Sequence, residues 1–489
     1  MSKQTAAKAP NFIVVMTDDQ GAWARGRTMP ELITPVLDEL GETGLELTRF
    51  FCTSPVCSPA RASLVTGRMP SAHGVHDWLR SENSGVSTRG VHYLQDFATT
   101  PELLHEAGYT CAHSGKWHLG DARTPAPGFS HWYSHRDGGG SYFGAPVIAD
   151  GKEQSEDGYI THAITKNAAA MLTELAQAEE PFYLQVHYTA PHSPWTDGNH
   201  PQEYVDLYKD CEFPSIPRPP AHDWFNWDHG DLAAAMRNPQ ENLAGFCAAL
   251  TAVDRGVGSL LNILDDAGIR DDTYVIFTSD NGFSCGHHGI WGKGNGTTPL
   301  NVWDNSILVP FIINRPGTIV PRLDDTMTSA ASLHATLLEL AGAPAPLDPL
   351  IAGESMAPRF LNDVADADAS AKDASRKDAI VIFDEYGGTR MIRTESHKLV
   401  VRYGGAVCEL YDLLADPQES RNEIDNPAFA TRRQELQEQL TDWFAAHSEP
   451  RFDAFDRPVT GLGQTSPVWV PMADSQRYVE PGIPATPGA

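Results

Sequence analysis

Four short runs of this chain are apolar nearly throughout rather than at every second residue, and each runs directly into a cluster of chemistry-bearing side chains. Asn11–Met16 leads into Thr17-Asp18-Asp19-Gln20, Pro181–Val186 into His187-Tyr188-Thr189-Ala190-Pro191-His192, and Thr273–Thr278 into Ser279-Asp280-Asn281-Gly282. A shorter run, Tyr109–Ala112, leads into Ser114-Gly115-Lys116-Trp117-His118. A strand exposed on one face alternates apolar and polar side chains, whereas one covered on both faces does not. Helical patterns lie between these runs: apolar residues recur at threes and fours from Asn242 to Ala267, with Gly268 as a stop, and Thr161–Ala178 is a second helix ended before Pro181. Together they predict an α/β fold, a large mixed, mostly parallel sheet sandwiched by helices. Ligands of such sheets sit beyond the carboxyl ends of the strands, where all four runs place their Asp, Asn, Lys and His.

At 489 residues the chain is long for one core. Residues 1–362 are expected to form the large domain, and the pattern changes near Ala352-Gly353-Glu354-Ser355. Residues 363–378 are an Ala/Asp-rich tract with little to bury, read as a loop or linker. Residues 379–450 read as a small α+β domain: short antiparallel strands at Ala379–Phe383, Thr389–Arg393, His397–Arg402 and Val407–Tyr411, then a helix over about 428–446. The Pro/Gly-rich tail, 451–489, is expected to wrap the surface.

The formal charge of −28 disfavours nucleic acid and anionic membrane surfaces as partners, so an anionic substrate needs a local basic pocket. No apolar run reads as a membrane span. The first hydrophobic run, Phe12–Met16, is too short for a secretory signal, which for a complete chain implies the cytoplasm. Seven cysteines without C-x-x-C spacing agree with a reducing compartment, and argue against a disulfide scaffold or structural zinc.

Cys57-Ser58-Pro59-Ala60-Arg61 places a thiol, a turn-setting proline and a cation at the opening of a helix. By itself this pattern admits a buried packing cysteine, or a thiolate nucleophile activated by the helix N-terminus and Arg61. With its sequel Ala62-Ser63-Leu64-Val65-Thr66-Gly67-Arg68, it resembles the signature of the formylglycine-dependent sulfatases of the alkaline phosphatase superfamily. In that family a maturation enzyme oxidises the cysteine to an aldehyde, 3-oxoalanine. The resemblance extends from Asn11 through the C-terminal helix and is strongest to bacterial carbohydrate O-sulfatases.

Asp18, Asp19, Asp280 and Asn281 are hard oxygen ligands from two strand ends, suited to Ca²⁺ and less to Mg²⁺. The resemblance implies that they bind one calcium ion together with the modified Cys57. It further implies that one oxygen of the hydrated aldehyde attacks sulfur, with Arg61 and the cation stabilising its charge. Lys116 and Lys293 would hold sulfate oxygens, His192 would protonate the departing alcohol, and His118 would deprotonate the second hydroxyl to release sulfate. On the sugar side, His76, Asp77 and Trp78 follow the nucleophile helix, Arg136 ends the aromatic, His-rich stretch 131–136, and Trp195 is a further aromatic suited to stacking on a sugar face.

The implied activity is hydrolysis of an O-sulfate ester on a small, imported, sulfated saccharide. An N-acetylhexosamine sulfate fits, with N-acetylglucosamine 6-sulfate as first choice. The alternatives are a formylglycine-dependent phosphonate monoester or phosphodiester hydrolase, and a catalytically silent sulfosugar-binding relative.

Overall fold

The computed structural model describes residues 9–82, 85–361 and 382–480. The tract 363–378, the first residues of the 379–383 strand and the end of the tail fall outside those residues. In chain order the strands are β1 (Asn11–Thr17), β2 (Leu45–Phe51), β3 (Thr110–Lys116), β4 (Phe129–His135), β5 (Ala145–Ala149), β6 (Lys152–Glu156), β7 (Phe182–His187) and β8 (Thr273–Ser279). They continue with β9 (Ser284–Cys285), β10 (Trp291–Gly292), β11 (Leu308–Asn314), β12 (Arg322–Asp324) and β13 (Thr328–Ser329). The C-terminal strands are β14 (Ile382–Tyr386), β15 (Thr389–Arg393), β16 (His397–Arg402) and β17 (Glu409–Asp412).

Among the described residues, eleven strands form one sheet in the order β12-β2-β11-β8-β1-β7-β3-β4-β5-β6, with β13 also on β2. The central five, β8-β1-β7-β3-β4, are parallel, and β11 and β5 flank them antiparallel. Register carries the functional consequence. Met16 pairs with both His187 and Thr278, and Gly115 with His187, so β1, β7, β8 and β3 end level. Asp18, Asp280 and Lys116 therefore emerge at one edge.

Both faces of β1 are buried, which is why its sequence does not alternate. Ile13 and Val15 join the core beneath the Ile160–Leu175 and Pro239–Asp266 helices. Phe12, Val14 and Met16 join the core on the other face, under the Cys57–Thr66 and Ser332–Ala341 helices. Each such side chain contributes about 1.5–3 kcal/mol on burial. The Pro239–Asp266 helix is long and apolar enough to match a membrane span by length and composition, but its apolar side faces the sheet.

Strands β2, β4, β5, β6 and β11 carry weaker sequence signals. Pro310 interrupts β11, and the structure accommodates it at a break in register between Val309 and Phe311.

The smaller sheet, β14-β15-β16-β17, is an antiparallel meander backed by the Ala430–His447 helix, whose Leu436, Leu440 and Phe444 pack on Ile392, Leu399 and Leu410. A buried ion network ties it to the main unit. Arg393 and Lys398 both reach Asp304 at 2.9 Å, and Lys398 also bonds Glu419 at 2.5 Å. The chain beyond 450 does more than wrap the surface: Gln464 and Tyr478 are buried, with Gln464 accepting from the His76 N–H at 2.8 Å.

Candidate active site

Cys57 is the first residue of a ten-residue helix whose side chains are all buried, and Gly67 in the left-handed region ends it. Its thiol donates to Asp18 Oδ1 at 3.2 Å and accepts from Lys293 Nζ at 2.8 Å. Lys116 Nζ bonds Asp18 Oδ2 at 2.5 Å, and Lys293 also bonds Asp19. One turn along the helix, Arg61 Nε bonds Asp280 Oδ2 at 2.8 Å, and Nη1 bonds the Lys116 carbonyl at 2.9 Å. The other Asp280 oxygen accepts from the backbone N–H groups of Asn281 (2.8 Å) and Asp19 (3.3 Å). Three carboxylates and three cationic side chains thus surround one buried cysteine. Their formal charges cancel, so this cluster is locally neutral within a strongly acidic chain.

Burial pushes the Cys57 thiol up to about 12, reinforced by the Asp18 charge. The alternative of a free thiolate nucleophile is disfavoured by that burial and by the neighbouring Asp18 carboxylate, while Arg61 spends its Nε on Asp280. Burial pushes Asp18 up as well, but Lys116, His192, Lys293 and Arg61 outweigh it and hold that carboxyl well below the usual range. Asp280 moves the other way, to about 6, through burial and the Asp18 charge.

Asp18, Asp19 and Asp280 each offer an oxygen within 4.8 Å of the others. Asn281 donates to Asp19 Oδ1 at 2.8 Å, while its own Oδ1 is buried without a partner. An orphaned carbonyl oxygen beside three carboxylates is a donor set that fits a hard divalent cation. Asp19 is held at φ 70°, a strained conformation for a residue with a side chain.

The two histidines are held differently. His118, also at positive φ (56°), places Nε2 2.9 Å from the Leu79 carbonyl, and its Nδ1 is buried without a partner. A carbonyl only accepts, so Nε2 carries the proton and Nδ1 is left as an acceptor. Burial, aided by Lys116, holds this imidazole well below its usual range and keeps it neutral. His192 is 23% exposed; its Nδ1 lies 3.1 Å from the Ser193 carbonyl, and its Nε2 lies 3.8 Å from Asp19 Oδ2.

The structure thus brings together Cys57, Arg61, Lys116, His118, His192, Lys293, Asp18, Asp19, Asp280 and Asn281. Three of the expected sugar contacts are corrected. His76 is buried, with its ring on Tyr478 Oη (2.7 Å) and the Phe452 carbonyl. Asp77 is buried and accepts from Tyr386 Oη (2.5 Å) and from the Trp78, Gly461 and Gly463 N–H groups. Trp195 is 2% exposed, bonded to the Pro191 carbonyl at 2.6 Å and packed on Phe283 and Trp291. Trp78 is half-buried and bonds the Gly461 carbonyl at 3.0 Å, and half-buried Arg136 pairs with Asp137 and Glu153. Sequence reasoning missed the Leu79 carbonyl, and Tyr142, whose hydroxyl donates to the His192 carbonyl at 2.8 Å.

The family description "Sulfatase" matches residues 10–343, and "N-sulphoglucosamine sulphohydrolase, C-terminal" matches 286–446. An N-acetylglucosamine-6-O-sulfatase of Bacteroides thetaiotaomicron is 27% identical, over 89% of this chain and 86% of that one. A choline-sulfatase of Rhizobium meliloti is also 27% identical, over 92% and 88%. A solved structure, BT4656 in complex with its substrate D-glucosamine-2-N,6-O-disulfate, superposes with a TM-score of 0.73 at 25% identity, covering 92% of this chain and all of that one. With the catalytic-domain match spanning well over half of its length, this chain belongs to the sulfatase family and is a sulfuric ester hydrolase.

Proposed function

We propose that this sulfatase removes O-sulfate from a small sulfated carbohydrate, with N-acetylglucosamine 6-sulfate as the first substrate to test. The observation that carries the proposal is the buried Cys57 set among three carboxylates and three cationic side chains, with two differently held imidazoles beside it. The sugar assignment is supported by the N-acetylglucosamine-6-O-sulfatase relative and by the glucosamine disulfate bound in the similar structure.

Asp18, Asp19, Asp280 and Asn281 would hold one calcium ion, and Cys57 would carry an aldehyde in place of its thiol. When present, the two supply positive charge for the sulfate oxygens and a hydrated carbonyl as nucleophile toward sulfur. The chain's own side chains do the rest. Lys116 and Lys293 give up carboxylate contacts to bind sulfate oxygens, offsetting the charge that builds in the transition state. Arg61 holds Asp280 in place for the cation. His192 Nε2, on the exposed side of the site, protonates the departing sugar oxygen. His118 accepts a proton at Nδ1, because Leu79 fixes its tautomer and burial keeps it neutral. Without that acceptor, sulfate release stalls.

The test is a panel of defined sulfated monosaccharides given to the matured enzyme, alongside a phosphonate monoester. Sulfate released fastest from N-acetylglucosamine 6-sulfate is the expected result. Turnover of the phosphonate with no desulfation of any sugar would transfer the assignment to a phosphonate hydrolase.

A further inference from the structure

Between β4 and β5 the chain makes the turn Asp137-Gly138-Gly139-Gly140, which none of the chemistry above uses. The turn is pinned at both ends. Arg136 Nη2 bonds the buried Asp137 carboxylate at 2.8 Å, and the His135 imidazole lies 2.8 Å from the Asp137 carbonyl. Beyond the glycines, buried Tyr142 donates to the His192 carbonyl at 2.8 Å. Between those anchors the backbone passes against both imidazoles. A Cβ on Gly138 would overlap the His118 ring at Nε2 and Cε1, and one on Gly139 would sit 3.2 Å from His192 Cε1 and 3.3 Å from its Nδ1. Neither glycine adopts positive φ, unlike Gly140, so conformation does not demand them. Space against the two rings does.

We propose that Gly138 and Gly139 are positioning residues, a spacer that sets where the His118 and His192 imidazoles stand relative to the reacting ester. His118 Nε2 is confined between the Leu79 carbonyl and Gly138. A methyl group at 138 drives the ring off Leu79, and with that the tautomer that leaves Nδ1 as acceptor is no longer fixed. A methyl group at 139 is milder and displaces the His192 ring by a few tenths of an ångström. The inference rests on the acid and base roles given to these histidines above.

The test compares Gly138→Ala and Gly139→Ala in the matured, calcium-loaded enzyme on a sugar sulfate and on an activated aryl sulfate, whose leaving group needs no proton. Gly138→Ala is expected to lower kcat about 100-fold on both, with KM within about threefold, whereas Gly139→Ala lowers kcat about tenfold on the sugar sulfate and less than about threefold on the aryl sulfate. Wild-type kcat on the sugar sulfate for both variants, or an equal loss on the two substrates for Gly139→Ala, would overturn the proposal. If Gly138→Ala fails to melt cooperatively, the leaving-group dependence of Gly139→Ala decides alone. His118→Ala and His192→Ala in the same assay keep the two readings apart. Wild-type turnover in those variants sinks the histidine roles, while their inactivity beside unimpaired glycine variants sinks the spacer.

Discussion

Asp280 divides its carboxylate between Arg61 on one oxygen and two backbone N–H groups on the other, so it organises the helix and the strand edge together. Removing it outright would leave the buried Arg61 guanidinium without its carboxylate, at a cost of about 3–5 kcal/mol, so the informative change is Asp280→Asn, which keeps a hydrogen-bonding oxygen there. That variant is expected to fold, to bind no calcium in metal analysis, and to lose turnover; a stoichiometric calcium content with wild-type kcat would contradict the ligand set. The candidate residues that the structure brings together are those whose motif also fixes their backbone position: Asp18, Asp19, Asp280, Asn281 and Lys116 sit at or just past strand ends, and Cys57 and Arg61 are one helical turn apart. His76, Asp77 and Trp195 were misread because nearness in sequence to a motif says nothing of side-chain direction. Each turns inward to partners hundreds of residues away or to its own loop.

At the level of elements, strands apolar on both faces were readable, and so were helices with an unbroken stripe. Predicted bounds of 242–267 and 161–178 became Pro239–Asp266 and Ile160–Leu175. β4 was not readable, since Phe129–His135 is rich in His, Ser and Trp, and neither was β11 with its internal proline. Nor could composition reveal that the 452–480 segment is held by long-range pairs. Asp77 is the tie, gathering Tyr386 of β14 and the N–H groups of Gly461 and Gly463, two residues before the Leu79 carbonyl that holds His118. Asp77→Ala orphans three buried donors and is expected to cost about 3 kcal/mol in a denaturant titration, with faster amide exchange through 460–464. Unchanged stability and unchanged exchange there would show that the segment is held by other contacts.

For the molecule as a whole, a charge of −28 and a sulfate-ester substrate are reconciled by local balance. Three carboxylates meet three cationic groups at one sheet edge, and a divalent cation there would turn that neutral cluster into a basic pocket. The parallel core and the C-terminal meander were both foreseeable from periodicity, but the buried Asp304–Arg393–Lys398–Glu419 network joining them was not, because its members are scattered along the chain as ordinary charged residues. Everything proposed for catalysis depends on what the Cys57 side chain becomes. Its thiol is buried and, pushed up to about 12, is a poor nucleophile. The decisive measurement is tryptic mass spectrometry of the peptide carrying Cys57 across preparations matured to different extents, each paired with its specific activity. Activity is expected to rise in proportion to the aldehyde fraction and to vanish when that fraction is zero, whereas full sulfatase activity from protein whose Cys57 is entirely unmodified thiol would contradict it.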